Sequence, residues 1–184
     1  MSDKELLEQF SNPQTRNDAF TLLIKTYQQR VYWHIRKMVI DHDDADDLTQ
    51  ETFIKVWNGL DNFKGDSQLF TWLYRIATNE CLSFLSRKKR RFFLPNFDLT
   101  EELANKLDDS PSLSGEDIQL KLQKALLTLP DKQRLVFNMK YFDDMKYEEI
   151  AEITGTSVGG LKSSYHFAVK KIEDFLTNEQ DFGL

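Results

Sequence analysis

The chain has 184 residues, 40% of them hydrophobic and 12% aromatic, which is enough to build one ordinary domain or two small ones and argues against wholesale disorder. It carries 24 basic and 30 acidic residues, and a net charge of −6 would by itself argue against nucleic acid as a partner. A single cysteine excludes a disulfide framework within the chain and indicates a reducing, cytoplasmic compartment. The sequence shows no secretory signal and no apolar run of membrane-spanning length, so we expect no direct membrane insertion.

Three helices are predicted in the first half of the chain. The first has Asn17 or Asp18 as its N-cap, because apolar residues recur from there at steps of three and four. Those residues are Phe20, Leu23, Ile24, Tyr27, Val31, Ile35 and Met38. The second helix follows an acidic break and has one apolar side, formed by Ala45, Leu48, Thr52, Phe53 and Val56. The third is capped by Asp66 or Ser67 and runs towards Arg87, which predicts one small helical domain over residues 10–94.

The second half is predicted to be a linker followed by a helix-turn-helix domain. Residues 95–115 lose the helical period and gain proline, serine and acids, which indicates an acidic, flexible and partly disordered linker. Helical periodicity returns over residues 116–178, with a turn at 154–156 and a long final helix capped by Ser157. The fold class is therefore all-α, with a three- to four-helix domain joined by the linker to a helix-turn-helix domain.

Charge is distributed unevenly along these segments. Residues 98–117 hold seven acids and one base, and so account for the whole net charge of −6. Residues 63–91 hold seven bases and two acids, while residues 158–172 hold three lysines, a histidine and no acid. Local charge decides which surfaces can approach phosphates, so two segments of this acidic chain stay compatible with nucleic acid.

The final helix has one apolar and one polar face. Its apolar stripe consists of Val158, Leu161, Tyr165, Ala168, Ile172 and Phe175. The opposite face holds Gly159, Lys162, Ser163, His166 and Lys170. Glycine in a helix costs about 1 kcal/mol relative to alanine, but small residues and free N–H groups at a helix start suit a close approach to DNA phosphates. The alternative is an ordinary helical hairpin with a solvated basic face.

The third helix has a second face besides its core side. That face carries Trp72, Arg75, Asn79, Ser83, Ser86 and Arg90. An exposed aromatic can stack on unpaired bases, an amide can read base edges and cations can hold phosphates, so this face predicts contact with single-stranded or flipped bases. The alternative is that the aromatics are core and the basic run is a solvated helix end, which is the interpretation we favour for Phe70 and Tyr74.

The second helix carries an acidic face beside an apolar residue. Asp47, Gln50 and Glu51 lie next to Ile54, a combination that predicts a docking face for a basic protein partner. Asp43 and Asp44 need no more than helix stabilisation as an explanation. The three histidines are scattered, and no nucleophile–base pair or phosphate loop is recognisable, so we predict no enzyme activity, no cofactor and no metal site.

Two segments of the chain match one family in order and spacing. The first is "DADDLTQETFIKVWNGLDNFKGDSQLFTWLYRIATNECLSFLSRKKRR", and the second, after the linker, is "LPDKQRLVFNMKYFDDMKYEEIAEITGTSVGGLKSSYHFAVKKI". Together they strongly resemble the extracytoplasmic-function (ECF) class of bacterial sigma factors, which are initiation subunits of RNA polymerase. The resemblance implies a sigma factor that binds core polymerase, recognises minus-thirty-five and minus-ten promoter elements, and initiates DNA melting.

The resemblance also assigns residues to each of these tasks. Binding of the polymerase β′ clamp coiled coil is assigned to the "DLTQETF" helix, with Asp47, Gln50, Glu51 and the adjacent Ile54. Minus-ten contacts are assigned to the loop Phe63, Lys64, Gly65, Asp66 and Ser67, and to Trp72, Arg75, Asn79, Arg87, Lys88 and Arg90. Minus-thirty-five contacts are assigned to Ser157, Gly159, Lys162, Ser163, Ser164, His166, Phe167 and Lys170. Where relatives often have "VKSRLHRAR", this chain has "LKSSYHFAV", so Ser164, Phe167 and Val169 replace arginines and fewer guanine contacts are expected.

The implied partners are core RNA polymerase, through the β′ clamp coiled coil and the β flap, promoter DNA, and an anti-sigma factor, which in many relatives is anchored in the membrane. Two alternatives remain at this point. A sigma mimic would sequester an anti-sigma factor without touching DNA, and a helix-turn-helix repressor would use the second domain alone. An acidic linker could also fold over a basic DNA-binding face of the same chain.

Overall fold

The computed structural model describes residues 2–91, 99–108 and 117–181, and within these ranges the chain forms helices and no strand. The α-helices are α1 (Asp3–Ser11), α2 (Arg16–Val39), α3 (His42–Gly59), α4 (Leu69–Arg91), α5 (Leu99–Asp108), α6 (Asp117–Leu127), α7 (Asp131–Phe137), α8 (Tyr147–Thr154) and α9 (Val158–Asp181). A 3-10 turn covers Leu60–Asn62, and a π-helical turn covers Asn138–Phe142. The predicted all-α class with two helical domains is confirmed.

Helix α1 was not predicted from the sequence. A capping box starts it, because the Ser2 hydroxyl accepts a hydrogen bond from the Glu5 backbone N–H and the Glu5 carboxylate accepts one from the Ser2 N–H. The helix buries Leu6 and Phe10, and the Phe10 ring lies 5.3 Å from that of Trp57 on α3. The helical core of the first domain therefore begins before Asn17, where the apolar repeat used to predict its first helix starts.

Helices α2, α3 and α4 enclose the core of the first domain. Helix α3 is capped by Asp41, and it buries the five residues predicted for its apolar side: Ala45, Leu48, Thr52, Phe53 and Val56. Helix α2 begins at Arg16, after Thr15 rather than after Asn17 or Asp18. Helix α4 begins at Leu69, so Asp66 and Ser67 lie in the loop before it and do not cap it.

Helix α5 occupies part of the predicted linker. Leu103 and Leu107 are 3% and 0% exposed and form a cluster with Ile40 and Leu127, which follow α2 and end α6. This cluster, the α5 cluster, is separate from the two larger cores. The sequence analysis did not anticipate this helix within the predicted linker; the other predicted linker residues, 95–98 and 109–115, lie outside the described residues.

Helices α6 to α9 form the helix-turn-helix domain. Gly155 ends α8 with a φ of 69°, a conformation that suits glycine, and the Ser157 hydroxyl accepts a hydrogen bond of 3.2 Å from the Gly160 N–H, as predicted for the cap of α9. Leu161, Ala168 and Ile172 are buried on the predicted apolar stripe, while Tyr165 and Phe175 are half-buried. None of the described helices is both long and apolar enough to cross a membrane.

Candidate nucleic-acid interface

The predicted docking face is exposed along helix α3. Asp47, Gln50 and Glu51 are exposed, and Ile54 is 60% exposed although it is aliphatic. Ile54 lies at the edge of a groove between α2 and α3, so its exposure is part of a larger apolar surface and not a single exposed side chain.

That groove has a volume of about 450 Å³. It is lined by Phe20, Ile24, Gln28, Thr49, Gln50, Phe53, Ile54 and Trp57. The sequence analysis missed this apolar floor, since it assigned Phe20 and Ile24 to a buried stripe and did not single out Trp57. The signal was present, because Trp57 follows Ile54 by three residues and so lies on the same side of α3. An apolar groove on a helix that also exposes Asp47 and Glu51 suits an amphipathic helix that carries basic residues.

The predicted minus-ten loop leads into α4. Lys64, Gly65 and Asp66 are exposed and Ser67 is half-buried, with Gly65 at a φ of 76°, which accounts for a glycine at the tip. Phe63 points back to the domain, where its ring lies 5.3 Å from that of Trp72. Three of the five loop residues are therefore exposed, and Phe63, which is half-buried like Ser67, fixes the loop to α4.

Trp72 is not the fully exposed stacking residue that the sequence suggested. It is half-buried, and a Cβ placed on Gly59 would lie 3.2 Å from its ring. The indole thus packs closely over the end of α3 and offers only part of its surface to a ligand. Tyr74 is 2% exposed, as predicted, and its hydroxyl donates to the Arg30 carbonyl; Phe70 is half-buried beneath the Arg30 guanidinium.

The remaining minus-ten candidates on α4 differ in their surroundings. Asn79, Arg87 and Arg90 are exposed. Arg75 instead donates two hydrogen bonds, of 3.1 and 2.7 Å, to the Glu152 carbonyl of α8. The Lys88 side chain is 13% exposed and lies 3.1 Å from an Asp44 carboxylate oxygen. Arg75 belongs to the predicted face, whereas Lys88 lies on the side of α4 that meets α3, and both cations already have partners within the chain.

The predicted minus-thirty-five face lies along the start of α9. Gly159, Lys162, Ser163, His166, Phe167 and Lys170 are exposed, as is the capping Ser157, and Ser164 is half-buried. Phe167 is 55% exposed, so it has not turned into the core, and its ring lies 5.8 Å from that of His166. The two arginine replacements at Ser164 and Phe167 thus leave a neutral, partly aromatic surface at the middle of this face.

Comparison with known proteins identifies both domains. Residues 23–91 match the family described as Sigma-70 region 2, and residues 119–172 match that described as Sigma-70, region 4. The RNA polymerase sigma-H factor of Pseudomonas aeruginosa is 32% identical, with 95% of this chain and 93% of that protein covered. The ECF RNA polymerase sigma-E factor of Escherichia coli K12 is 30% identical, with 95% and 94% covered. The chain belongs to the ECF class of sigma factors.

Solved structures agree with this assignment. A structure of CnrH in complex with the cytosolic domain of CnrY matches this sigma factor with a TM-score of 0.67 at 25% identity, covering 96% of this chain and 97% of that one. The sigma factor RpoE of Bartonella quintana, solved with the anti-sigma factor NepR, has the same fold, with a TM-score of 0.62 at 24% identity over 86% of this chain and 96% of that one.

Membership of this class gives the function. This alternative sigma factor binds core RNA polymerase, recognises promoter DNA through its two domains and directs transcription initiation. The two alternatives from the sequence fit this membership less well: a sigma mimic would leave both matched regions without their DNA-binding role, and a free-standing repressor would leave region 2 without its role. Sigma factors are polymerase subunits rather than enzymes in their own right.

Proposed function

We propose that this sigma factor divides its task between three surfaces. The α3 face, with Asp47, Gln50, Glu51 and Ile54, binds the β′ clamp coiled coil. The 63–67 loop, with Trp72, Arg75, Asn79, Arg87, Lys88 and Arg90 on α4, binds the opened minus-ten element. The α9 face binds the minus-thirty-five element through Ser157, Gly159, Lys162, Ser163, Ser164, His166, Phe167 and Lys170. The observation that carries this proposal is the solvent-exposed Ile54 beside an apolar groove, on a helix that also exposes Asp47 and Glu51; such a surface is suited to protein rather than DNA.

The domain division remains part of the proposal. Residues 10–94 form the polymerase-binding and melting domain, 95–115 the connecting segment, and 116–178 the helix-turn-helix domain that also meets the β flap. The compartment is the cytoplasm, where bacterial polymerase acts, and the sigma factor contributes no chemical catalysis of its own. An anti-sigma factor is a further partner, by analogy with the sigma factor RpoE of Bartonella quintana, solved with the anti-sigma factor NepR.

The polymerase contact is tested first. Gln50→Ala combined with Glu51→Ala should weaken binding to core polymerase at least about tenfold, because it removes the polar rim of the groove. Both side chains are exposed, so the free energy of unfolding should change by less than about 0.5 kcal/mol. Gel filtration with bacterial core polymerase gives the readout, and wild-type protein should co-elute at equal stoichiometry.

Asp43→Ala is the matched control for this experiment, since Asp43 is an exposed acid on the same helix outside the docking face. Undiminished co-elution of the Gln50 and Glu51 variant would contradict the α3 assignment. A wild-type protein that eluted apart from polymerase but bound duplex DNA would favour the repressor, and one that bound neither would favour the mimic.

Promoter opening is tested on α4. Asn79→Ala should reduce opening, measured by permanganate reactivity of unpaired thymines, about tenfold or more while leaving polymerase binding intact, because a lost base-edge contact costs about 1–3 kcal/mol. Asn17→Ala, the same exposed change at the start of α2 and outside the proposed DNA-binding face, is the control. Trp72→Ala is less informative, since it would also remove packing against Gly59 and Phe63. Equal opening by the Asn79 variant and wild type would exclude Asn79 as a base contact.

A further inference from the structure

Phe167 is an aromatic residue on the polar face of α9. Its side chain is 55% exposed, whereas the opposite side of the helix buries Leu161, Ala168 and Ile172. Within the described part of the chain, its ring contact is with the neighbouring His166, whose ring centroid lies 5.8 Å away. Packing inside the protein therefore does not account for an aromatic side chain at this position.

Phe167 lies near the middle of the face that we propose for the minus-thirty-five element. Residues three and four apart are neighbours on a helix surface, so Phe167 follows Ser163 and precedes Lys170 along one stripe of α9. Both neighbours are exposed, and residues 158–172 hold three lysines, a histidine and no acid. Lysine and serine side chains bind phosphates and sugars, which fixes the position of a duplex without reading its sequence. The ring between these two residues would then lie against the edges of the bases.

A phenylalanine side chain can recognise one feature of the major groove. The edges of guanine, cytosine and adenine present hydrogen-bond donors and acceptors, and thymine alone also presents a methyl group. The benzyl group forms no ordinary hydrogen bond, so covering a polar base edge with it leaves that edge unpaired, which is unfavourable. Contact with a thymine methyl group instead removes apolar surface from water on both partners. A phenylalanine in the groove therefore favours an A·T pair over a G·C pair.

The arginine that relatives often have at this position would read a different base. Arginine donates two hydrogen bonds to O6 and N7 of guanine, which makes it the commonest side chain for that base. Ser164 and Val169 also replace arginines, but both are half-buried, so neither returns a guanidinium to the exposed face. The substitution at Phe167 thus exchanges a guanine-binding group for an apolar one at the same place on the helix.

We infer that Phe167 is a specificity-determining residue, which recognises the 5-methyl group of a thymine in the minus-thirty-five element. The inference rests on the proposed role of α9 and adds a base preference to it. Promoters of this sigma factor then carry an A·T pair at the position that Phe167 faces, where an arginine would select guanine.

Replacing thymine by uracil tests the contact directly, because uracil keeps the hydrogen-bonding groups of thymine and lacks only the methyl group. Holoenzyme formed from the full chain and core polymerase first selects its preferred element from promoter fragments randomised in the minus-thirty-five region. Each thymine of that element, on either strand, is then changed singly to uracil, and affinity is measured by fluorescence anisotropy at fixed salt. For wild type, uracil at the position facing Phe167 should lower the affinity about three- to fivefold, as expected for one methyl group that is no longer buried.

Variants at Phe167 assign the effect to this side chain. Phe167→Ala should lose the response to that one uracil and keep the responses to the others, and its fold should be unchanged because the side chain is exposed. Phe167→Arg should change the selected pair at the same position from A·T to G·C. Ile118→Ala is the matched control, since Ile118 is an exposed apolar residue of α6 outside this face, and it should keep the wild-type uracil profile.

The inference is wrong if the selected element contains no thymine, if wild-type holoenzyme tolerates every uracil, or if Phe167→Ala keeps the whole wild-type profile. Failure of the proposed function gives a different result. In that case Lys162→Ala combined with Lys170→Ala would bind the selected promoter as tightly as wild type. If this pair weakens binding while Phe167→Ala changes no uracil response, α9 binds the element and only the thymine contact is excluded.

Discussion

Two adjacent glycines at the start of α9 have different surroundings. A Cβ on Gly159 would meet nothing within 4 Å, whereas a Cβ on Gly160 would lie 3.2 Å from the Ser157 hydroxyl and 3.3 Å from the Thr156 methyl. Gly160 is therefore explained by the cap that starts the helix. Nothing in the described part of the protein explains Gly159, which is consistent with the close approach of a DNA backbone that we propose for this end of α9.

Gly159→Ala should separate stability from DNA binding. The free energy of unfolding should stay level or rise by up to about 1 kcal/mol, since alanine is the better helix former and has room. Affinity for duplex DNA carrying the minus-thirty-five element should fall, because the methyl group would enter the space taken by the phosphate backbone. Urea unfolding and anisotropy measure the two quantities.

Gly160→Ala is the companion variant, and it should bring no gain in stability because it crowds the Ser157 cap. Should Gly159→Ala bind the element as tightly as wild type, the close approach at this position would be wrong.

At the scale of elements, α5 is the helix whose existence has most bearing on function. It has ten residues, too few for a stable isolated helix, so its order must come from packing of Leu103 and Leu107 against both domains. Its position between the two domains therefore depends on the same contacts that fold it.

Hydrogen exchange should detect this dependence. In the free chain, backbone amides near Leu107 should exchange at least about tenfold more slowly than in an unstructured peptide of the same sequence. Adding core polymerase should remove this protection while α2 and α3 stay protected. Protection that persists in the polymerase complex would mean that α5 remains docked when the sigma factor is active.

Sequence patterns predicted the elements that pack locally and missed those that depend on distant partners. The apolar side of α3 was predicted residue by residue, because it follows the helical period. Helix α5 was obscured by the surrounding prolines, serines and acids, although Leu99, Leu103 and Leu107 recur at four-residue steps.

In the candidate site, too, some features follow from helical periodicity and others depend on distant partners. The exposed positions on α3 and α9 followed from helical faces alone. The half-burial of Trp72 depends on Gly59, thirteen positions earlier in the chain, and the pairing of Arg75 depends on a carbonyl in the other domain. No periodic pattern carries that information, because it arises only when the helices pack.

At the scale of the whole molecule, one carboxylate links the two domains electrostatically. Burial works to raise the pKa of Asp143, but its neighbours His34 and Lys37 outweigh this and hold that pKa below its usual range. His34 Nδ1 is 3.8 Å from the carboxylate, beyond hydrogen-bond distance, so Lys37 is the stronger partner. Tyr74 is the other titratable group that faces this carboxylate.

Asp143→Asn should lower the free energy of unfolding by about 1–3 kcal/mol at neutral pH, because it leaves a partly buried lysine without its charge partner. A carboxyl group whose pKa is lowered in the folded state stabilises that state at pH values above its ordinary pKa near 3.9. This contribution disappears as the pH falls through the lowered pKa of the folded state. The difference from wild type, measured by urea unfolding, should therefore be constant from pH 7 to about 5 and shrink below about pH 4.

Asp144→Asn is the matched control, since Asp144 is exposed and its φ of 49° suits asparagine as well as aspartate. Equal losses in the two variants would mean that the bridge to Lys37 contributes nothing measurable.

The chain's single cysteine, Cys81, lies where its reactivity can report on opening of the structure. Cys81 is fully buried on α4, and burial raises the pKa of its thiol even though Arg134 of the other domain acts against this. Thiol reagents require both access and the thiolate, so alkylation can proceed only while α4 has lost its covering neighbours. The alkylation rate of Cys81, followed by mass spectrometry, would therefore report how often the packing around this side chain opens. The measurement needs no introduced label, and it can be made on the free chain and on the polymerase complex.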